Sequence, residues 1–290
     1  MKKRAAGKRI YGIIGYPVRH TLSPLMQNAA FRASGIKASY MPFEIRPRDL
    51  RYAFLCVKAI GISGLNITIP HKEAAAGYMD DIDGEASMIG AVNTVALTNG
   101  RLKGFNTDGA GFVAAFKDKF GVSPKGRKFF IAGAGGAARA ISFALALRGA
   151  RRVLITDKVR KKAARLARSL ADETSCEAAA VDRDKKAVRE LVLDSDVFIN
   201  ATPCGMKASD EAVIEGEFLR EGLFVCDLIY SPSVTRLLRD ARKRGSRVMN
   251  GMGMLLNQGA ASFEIWTGKK APLEVMRRAL YRGRGGGDAD

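Results

Sequence analysis

The sequence predicts an α/β protein of two domains. One is an N-terminal α/β domain, the other a doubly wound parallel sheet, and the C-terminal helices pack back on the first domain. Three observations predict this class. The chain has 290 residues and is 47% hydrophobic, which suits two packed cores better than one. Strand-length apolar runs alternate with helical patterns along most of it, the signature of parallel strands joined by helices. A glycine-rich turn, Gly133-Ala134-Gly135-Gly136-Ala137-Ala138, follows one such run and opens an alanine-rich helix.

The elements read as follows. Residues 11–15 are an apolar run ending in Gly15-Tyr16-Pro17, a strand and a turn. Ser23-Pro24 reads as a helix start, with serine as N-cap and proline at the first helical position. Residues 39–45 read as a strand, and residues 47–60 as a helix with Leu50, Phe54, Leu55 and Val57 as its apolar positions. Residues 64–69 are a strand, and residues 91–97 and 102–105 a hairpin about Thr98-Asn99-Gly100. Residues 107–120 form a helix leading into the second domain. There, 128–132, 152–156, 197–200 and 223–227 read as strands, and 136–148, 159–170 and 234–244 as helices. Helices at 253–266 and 273–281 close the chain, and the Gly/Arg/Asp tail after Arg282 reads as disordered. The first domain is therefore expected over residues 1–106 joined by 253–285, and the second over 107–252.

Composition excludes several classes. The longest apolar stretch, 131–147, is interrupted by Arg139, whereas a bilayer span needs about 20 mostly apolar residues. No membrane partner is expected. The basic start is followed by a run containing Gly12, Gly15 and Pro17, which reads as a strand and turn and not as a signal peptide. Cys56, Cys176, Cys204 and Cys226 lack metal-ligand spacing and are too few for a disulfide framework, so a cytoplasmic protein without a metal site is expected. The formal net charge is +19, which raises nucleic-acid binding as a possibility. The charge is concentrated in residues 1–9 and in residues 148–168, where nine Lys/Arg face only Asp157. No aromatic-studded basic strand accompanies it, so the reading is solvated helix faces and a tail, with no nucleic acid as partner. The same positive field would attract an anionic substrate and cofactor.

The glycine turn carries the cofactor reading. Gly133 permits the tight turn, Gly135 lets the backbone approach a pyrophosphate, and Ala138 lets the helix pack close to the strand. The helix N-terminus then offers free N–H groups to phosphates. This is a Rossmann-type dinucleotide site, with Gly133, Ala134, Gly135, Gly136 and Ala137 as its turn. The next strand ends at Asp157, where a carboxylate normally accepts from the ribose hydroxyls of NAD and repels the 2′-phosphate of NADP. Lys158, Arg160, Lys161 and Lys162 follow at once and could offset that repulsion. NAD and NADP both remain open.

Four polar motifs of the first domain end or follow strands. They are His20-Thr21-Leu22-Ser23-Pro24, Asn66-Ile67-Thr68-Ile69-Pro70-His71-Lys72, Gly90-Ala91-Val92-Asn93-Thr94 and Gly104-Phe105-Asn106-Thr107-Asp108-Gly109. Open α/β sheets bind ligands at the carboxyl ends of strands, so these tips could converge on one cleft. With these motifs in place the chain resembles the shikimate dehydrogenase family over nearly its whole length. The later motifs follow in family order: the glycine turn, Asn200-Ala201-Thr202-Pro203-Cys204-Gly205-Met206, Asp227-Leu228-Ile229-Tyr230 and Gly253-Met254-Leu255-Leu256-Asn257-Gln258.

The resemblance implies reversible reduction of 3-dehydroshikimate to shikimate, usually with NADPH. It implies that Thr21 and Ser23, helped by Tyr230, hold the substrate carboxylate, and that Thr68, Asn93 and Gln258 hold ring hydroxyls. Lys72 and Asp108 would be the acid/base pair, and Thr202, Leu228 and Gly251 would line the cofactor with the glycine turn. The chemistry is coherent, because hydride delivery to a ketone leaves an alkoxide that needs a proton and a nearby positive charge. The nicotinamide carries the hydride, so no metal is called for. His71 is read as a cleft-edge residue and Cys204 as a small packed one. The clamp reads Thr-Leu-Ser where the family usually shows Ser-x-Ser, which leaves shikimate against quinate open. Thr156-Asp157-Lys158 stands where NADP-dependent members show Asn-Arg-Thr or Asn-Arg-Ser. An inactive nucleotide- or nucleic-acid-binding homologue is the rival from another class, and intact Lys72 and Asp108 argue against it. The substrate is a small molecule on any of the enzymatic readings, and monomer and homodimer are both open.

Overall fold

The computed structural model describes residues 8–283, so the basic N-terminal segment before Lys8 and the tail after Gly283 lie outside the described residues. The chain divides into two compact units, Met1–Thr107 with Leu256–Asp290, and Asp108–Leu255.

The first unit begins with β1 (Arg9–Gly15), α1 (Ser23–Ala33), β2 (Ala38–Glu44), α2 (Leu50–Ile60) and β3 (Gly64–Ile67). It continues through the short α3 (Lys72–Ala75), β4 (Asp81–Ile82), α4 (Gly84–Ile89), β5 (Thr94–Thr98) and β6 (Arg101–Phe105). The sheet order is β2-β1-β3-β5-β6-β4. β1 pairs in parallel with β2 and β3, while β5 runs antiparallel to β3 and β6. One face of the sheet packs Ile14, Leu65, Ile67 and Val95 against Leu50, Phe54 and Val57 of α2. Those are three of the four apolar positions read from the sequence. The fourth, Leu55, is 56% exposed. At α1 the expected cap shifts by one. Leu22 is the N-cap, and Ser23 and Pro24 are the first helical residues, so no side chain caps this helix.

The second unit opens with α5 (Asp108–Phe120) and alternates β7 (Lys128–Ala132), α6 (Gly136–Leu147), β8 (Arg152–Thr156), α7 (Arg160–Glu173), β9 (Glu177–Ala180), α8 (Lys185–Leu193), β10 (Val197–Asn200), β11 (Phe224–Asp227), α9 (Arg236–Lys243) and β12 (Arg247–Met249). All its strand pairs are parallel, in the order β12-β11-β10-β7-β8-β9. Counted within the unit, this is the 3-2-1-4-5-6 order of the Rossmann fold. The strand order reverses between β7 and β10, and ligands of such sheets bind at the carboxyl ends of that pair. Segments 177–180, 185–193 and 247–249 carry elements that the sequence pattern did not single out. β9 is Glu-Ala-Ala-Ala, without the β-branched residues that mark strands, and α8 buries only Val188 and Val192.

The chain returns to the first unit within α10 (Met252–Thr267) and ends with α11 (Leu273–Arg282), which packs along α1. The second face of the first sheet is covered by an aromatic cluster. Tyr11 of β1 stacks on Phe31 of α1 with centroids 4.8 Å apart and meets Trp266 of α10 at 5.1 Å, and Phe31 meets Phe263 at 5.5 Å. Such pairs add to the burial of their area. Trp266 also donates from its indole Nε1 to the Val95 carbonyl at 2.9 Å. It lies directly over Gly64, where a Cβ would collide with the indole nitrogen. Gly64→Ala should therefore displace the indole and break that bond. We expect a loss of about 2–4 kcal/mol, read as a lowered midpoint in denaturant unfolding monitored by tryptophan fluorescence.

Candidate active site

In the first unit the sheet geometry brings the polar motifs to one end. Gly15 ends β1 and Thr68 directly follows β3, and these strands are parallel. β5 is antiparallel to β3 with Asn66 opposite Thr94, so Asn93, just before β5, falls at that same end. β6 is antiparallel to β5, so Asn106 and Thr107, just after β6, fall there too.

The individual side chains are held as follows. The Thr21 hydroxyl lies 3.2 Å from the Ser23 hydroxyl and accepts from the Ser23 amide at 3.3 Å. Ser23 is buried at the start of α1, where the helix dipole favours an anion. Thr68 anchors through its amide to the Ile14 carbonyl at 2.8 Å, and its methyl fills the space a Cβ at Gly15 would need. Lys72 is the first residue of α3, and its carbonyl accepts from the Val92 amide at 2.8 Å. The Asn93 side chain is bound on both ends. Its Oδ1 accepts from the Thr107 amide at 2.8 Å and the Thr94 hydroxyl at 2.9 Å, and its Nδ2 donates to the Thr107 hydroxyl at 2.9 Å. Gln258 sits on α10, with its carbonyl accepting from Ser262 at 2.9 Å.

His71 departs from the expected cleft edge. It is 1% exposed, and its Nε2 meets the Ile45 carbonyl at 2.8 Å. The apolar packing behind α3 claims the ring, and the histidine ties α3 to the loop after β2. Sequence reasoning also passed over Tyr40 and Ser262. Tyr40 is buried in β2, and burial pushes its phenol well above the usual tyrosine range, opposed by the hydroxyl of Ser23. Neither residue lies in a glycine-flanked motif, so no local signal marks it.

In the second unit the switch between β7 and β10 is built by close backbone approach. Gly133 has φ +110°, and a Cβ there would lie 2.8 Å from the Ala201 carbonyl oxygen. Its amide donates to the Thr156 carbonyl at 2.7 Å, which ties the turn to β8. Gly135 is the N-cap of α6, has extended backbone, and has no heavy atom within 4 Å of its Cβ position. No side chain caps α6. An open Gly135 beside an uncapped helix N-terminus, with Ala134, Gly136 and Ala137 completing the turn, fits a pyrophosphate. Asp157 takes an unexpected position: its two oxygens accept from the Ala134 and Val159 amides, each at 2.8 Å. The carboxylate thus braces the turn. Gly133, Thr156, Asp157, Lys158, Arg183 and Thr202 line a cavity of about 270 Å³.

Beside this cavity, Asn200 fixes Thr202 by accepting from its amide at 3.0 Å and its hydroxyl at 2.7 Å. Asn200 also donates to Asp227 at 3.0 Å. Burial pushes the Asp227 carboxyl up, and bonds from Thr235, the Ile229 amide and Asn200 hold it down. Leu228 donates to the Asn200 carbonyl at 3.0 Å, and Gly251 approaches Leu228 so closely that a Cβ would overlap its carbonyl. Burial pushes the Tyr230 phenol up. Asp108, the first residue of α5, is 3% exposed. Cys204 is half-buried, with its amide bound to the Thr202 hydroxyl at 3.2 Å. Burial raises the Cys176 thiol to about 11 and pushes the Cys226 thiol well above its usual range, so both are protonated at neutral pH.

A Rossmann sheet with an open glycine turn at its switch point, in a chain whose other unit gathers polar residues at one sheet end, defines a dinucleotide-dependent α/β enzyme. Comparison with known proteins carries this further. Residues 13–95 match the model of the shikimate dehydrogenase substrate binding domain, and residues 251–281 that of the shikimate 5′-dehydrogenase C-terminal domain. A shikimate dehydrogenase (NADP+) of Methanopyrus kandleri is 43% identical over 277 residues, covering 95% of this chain and 96% of its own. A shikimate dehydrogenase crystallised in complex with NADP+ superposes with TM-score 0.86 at 39% identity, over 95% of this chain and 96% of that one. The Listeria monocytogenes shikimate 5-dehydrogenase, in complex with shikimate and NAD, gives TM-score 0.87 at 35% identity, over 97% and 99%. The chain belongs to the shikimate dehydrogenase family.

Proposed function

We propose that this chain is a shikimate dehydrogenase that interconverts 3-dehydroshikimate and shikimate, with NADP as its cofactor. The observation that carries the reading is the gathering of Thr21, Ser23, Thr68, Lys72 and Asn93 around one end of the first unit's sheet, in a chain 43% identical to a shikimate dehydrogenase. Two hydroxyls at i and i+2 beside a helix start suit a carboxylate, and Tyr230 adds a phenol donor. Thr68, Asn93 and Gln258 supply the neutral donors and acceptors that a polyhydroxylated ring needs. Lys72 delivers the proton to the alkoxide oxygen and stabilises its developing charge, and Asp108 is the other member of the acid/base pair. When bound, the nicotinamide supplies the hydride.

The cofactor choice rests on the cations around Asp157. Each of its oxygens accepts from one backbone amide, which draws the carboxylate into bracing the turn. Lys158 and Arg183 stand on the wall of the same cavity and provide cations for a 2′-phosphate. The overall charge of +19 favours a tetra-anionic cofactor and an anionic substrate alike. Among the described residues no helix is long and apolar enough to cross a membrane.

Steady-state oxidation of shikimate and of quinate, each with NADP+ and NAD+, tests the reading. Expected is kcat/KM highest for shikimate with NADP+; a preference above tenfold for quinate would replace shikimate as the substrate. Lys72→Ala should lower kcat by about 10²–10⁴ with the NADP+ dissociation constant unchanged. A kcat near that of the parent would remove Lys72 from the chemistry. The double variant Lys158→Ala/Arg183→Ala should weaken NADP+ binding by about tenfold or more, measured by calorimetry, while NAD+ binding stays within about twofold. Equal losses for both cofactors would show that the two cations do not select for the 2′-phosphate.

A further inference from the structure

Behind the polar end of the first sheet runs a buried hydrogen-bond network whose direction is set at the Asn66 carboxamide. Its members are Tyr40 on β2, Asn66 on β3, Thr94 on β5 and Ser262 on α10, all at most 4% exposed. The two protons of Asn66 Nδ2 are shared among the Asn93 carbonyl at 3.2 Å, the Thr94 hydroxyl at 3.1 Å and the Ser262 hydroxyl at 2.9 Å. A backbone carbonyl can only accept, so the amino end of Asn66 must face that side and its Oδ1 must face Tyr40. Tyr40 therefore donates to Asn66 Oδ1, at 2.7 Å. Thr94, receiving from Asn66, passes its own proton to Asn93 Oδ1 at 2.9 Å. Ser262 passes its proton to the Gln258 carbonyl at 2.9 Å.

Tyr40 is itself held without play. Asn28 on α1 donates to its carbonyl at 2.8 Å and accepts from its amide at 2.9 Å. Its ring lies 6.1 Å from Trp266, centroid to centroid.

We propose that Tyr40 is a positioning residue for Asn93, acting through Asn66 and Thr94. The Tyr40 hydroxyl anchors the Asn66 carboxamide at its oxygen end. With the phenol proton removed, Asn66 Oδ1 becomes a buried acceptor without a donor and the carboxamide loses that anchor, while the Asn93 carbonyl still keeps the amino end on its own side. A carboxamide free to tilt withdraws from the Thr94 hydroxyl, which then turns its proton to the Ser262 hydroxyl 2.8 Å away in place of Asn93 Oδ1. Asn93 then loses one of the donors that set its carboxamide direction. This inference deepens the proposed function and rests on it, because it assumes that Asn93 holds a ring hydroxyl.

Tyr40→Phe removes the proton and keeps the ring. It should be assayed with shikimate and with ring analogues that each lack one hydroxyl, alongside Asn93→Ala. The expected result is a KM for shikimate raised about tenfold, with kcat within about threefold and the KM for NADP+ within about twofold. The penalty should vanish with the same analogue on which Asn93→Ala has no effect, since the lost contact is then shared. Thr94→Val, which cuts the link between Asn66 and Asn93, should reproduce the pattern if Tyr40→Phe folds poorly. A KM for shikimate within twofold of the parent in both variants overturns the positioning role, and so does a penalty equal on every analogue. A parent protein that oxidises no shikimate overturns the function and this inference together, whereas normal parent turnover with a silent Tyr40→Phe overturns the inference alone.

Discussion

The carboxamide of Asn66 sits in a central strand, 4% exposed, with apolar neighbours Leu65 and Ile67 on either side in sequence. A polar group there is tolerated only if every donor and acceptor is paired. Meeting that demand recruits a partner from β2, from β5 and from α10 at once. The network holds only in the observed register, with Asn66 opposite Thr94. A one-residue slip would turn Asn66 to the other face and strand its amide in the apolar core. The same pairing fixes Asn93, so one of the groups proposed to meet substrate inherits its geometry from one buried amide.

The second unit relies on backbone closeness instead. β7 and β10 can approach at their ends because Gly133 has no Cβ to strike the Ala201 carbonyl. The opening that results is kept in shape by side chains bound to backbone. Asp157 holds two amides of the turn region, and Asn200 holds Thr202 while anchoring to Asp227. Asp227 is a buried carboxylate whose pKa burial pushes up. Its three partners oppose that rise and join β10, β11 and the start of α9. A rigid rim of this kind is what a dinucleotide site needs, because cofactor and substrate must meet at a defined distance.

Much of the architecture was legible along the chain. Strands 128–132, 152–156 and 197–200 form as the apolar runs indicate, because fully buried parallel strands leave little choice of residue. Other elements were not legible. β9 is an alanine run without β-branched residues, and it becomes a strand only because β8 offers an edge to pair with. Ser23 reads as a cap and is instead the first helical residue. His71 reads as a cleft residue and is buried against the Ile45 carbonyl. At β9 and His71 local pattern was overruled by a partner distant in sequence.

The glycine turn, the polar loop motifs and the alternation of strands and helices were determined by the sequence itself, because each depends on residues within a few positions of one another. The class of fold and the turn at Gly133 belong to that part, as do the residues Thr21, Ser23 and Lys72 on which the proposed chemistry rests. Tertiary structure alone decided where two kinds of side chain spend their hydrogen bonds. Asp157 looks like a ribose acceptor in sequence, yet the fold places the Ala134 and Val159 amides against it first. Tyr40 and Ser262 look like ordinary strand and helix residues, yet the sheet register and α10 bring them to Asn66. A buried polar group takes whichever partner the packing puts within reach, and that partner can be 196 residues away.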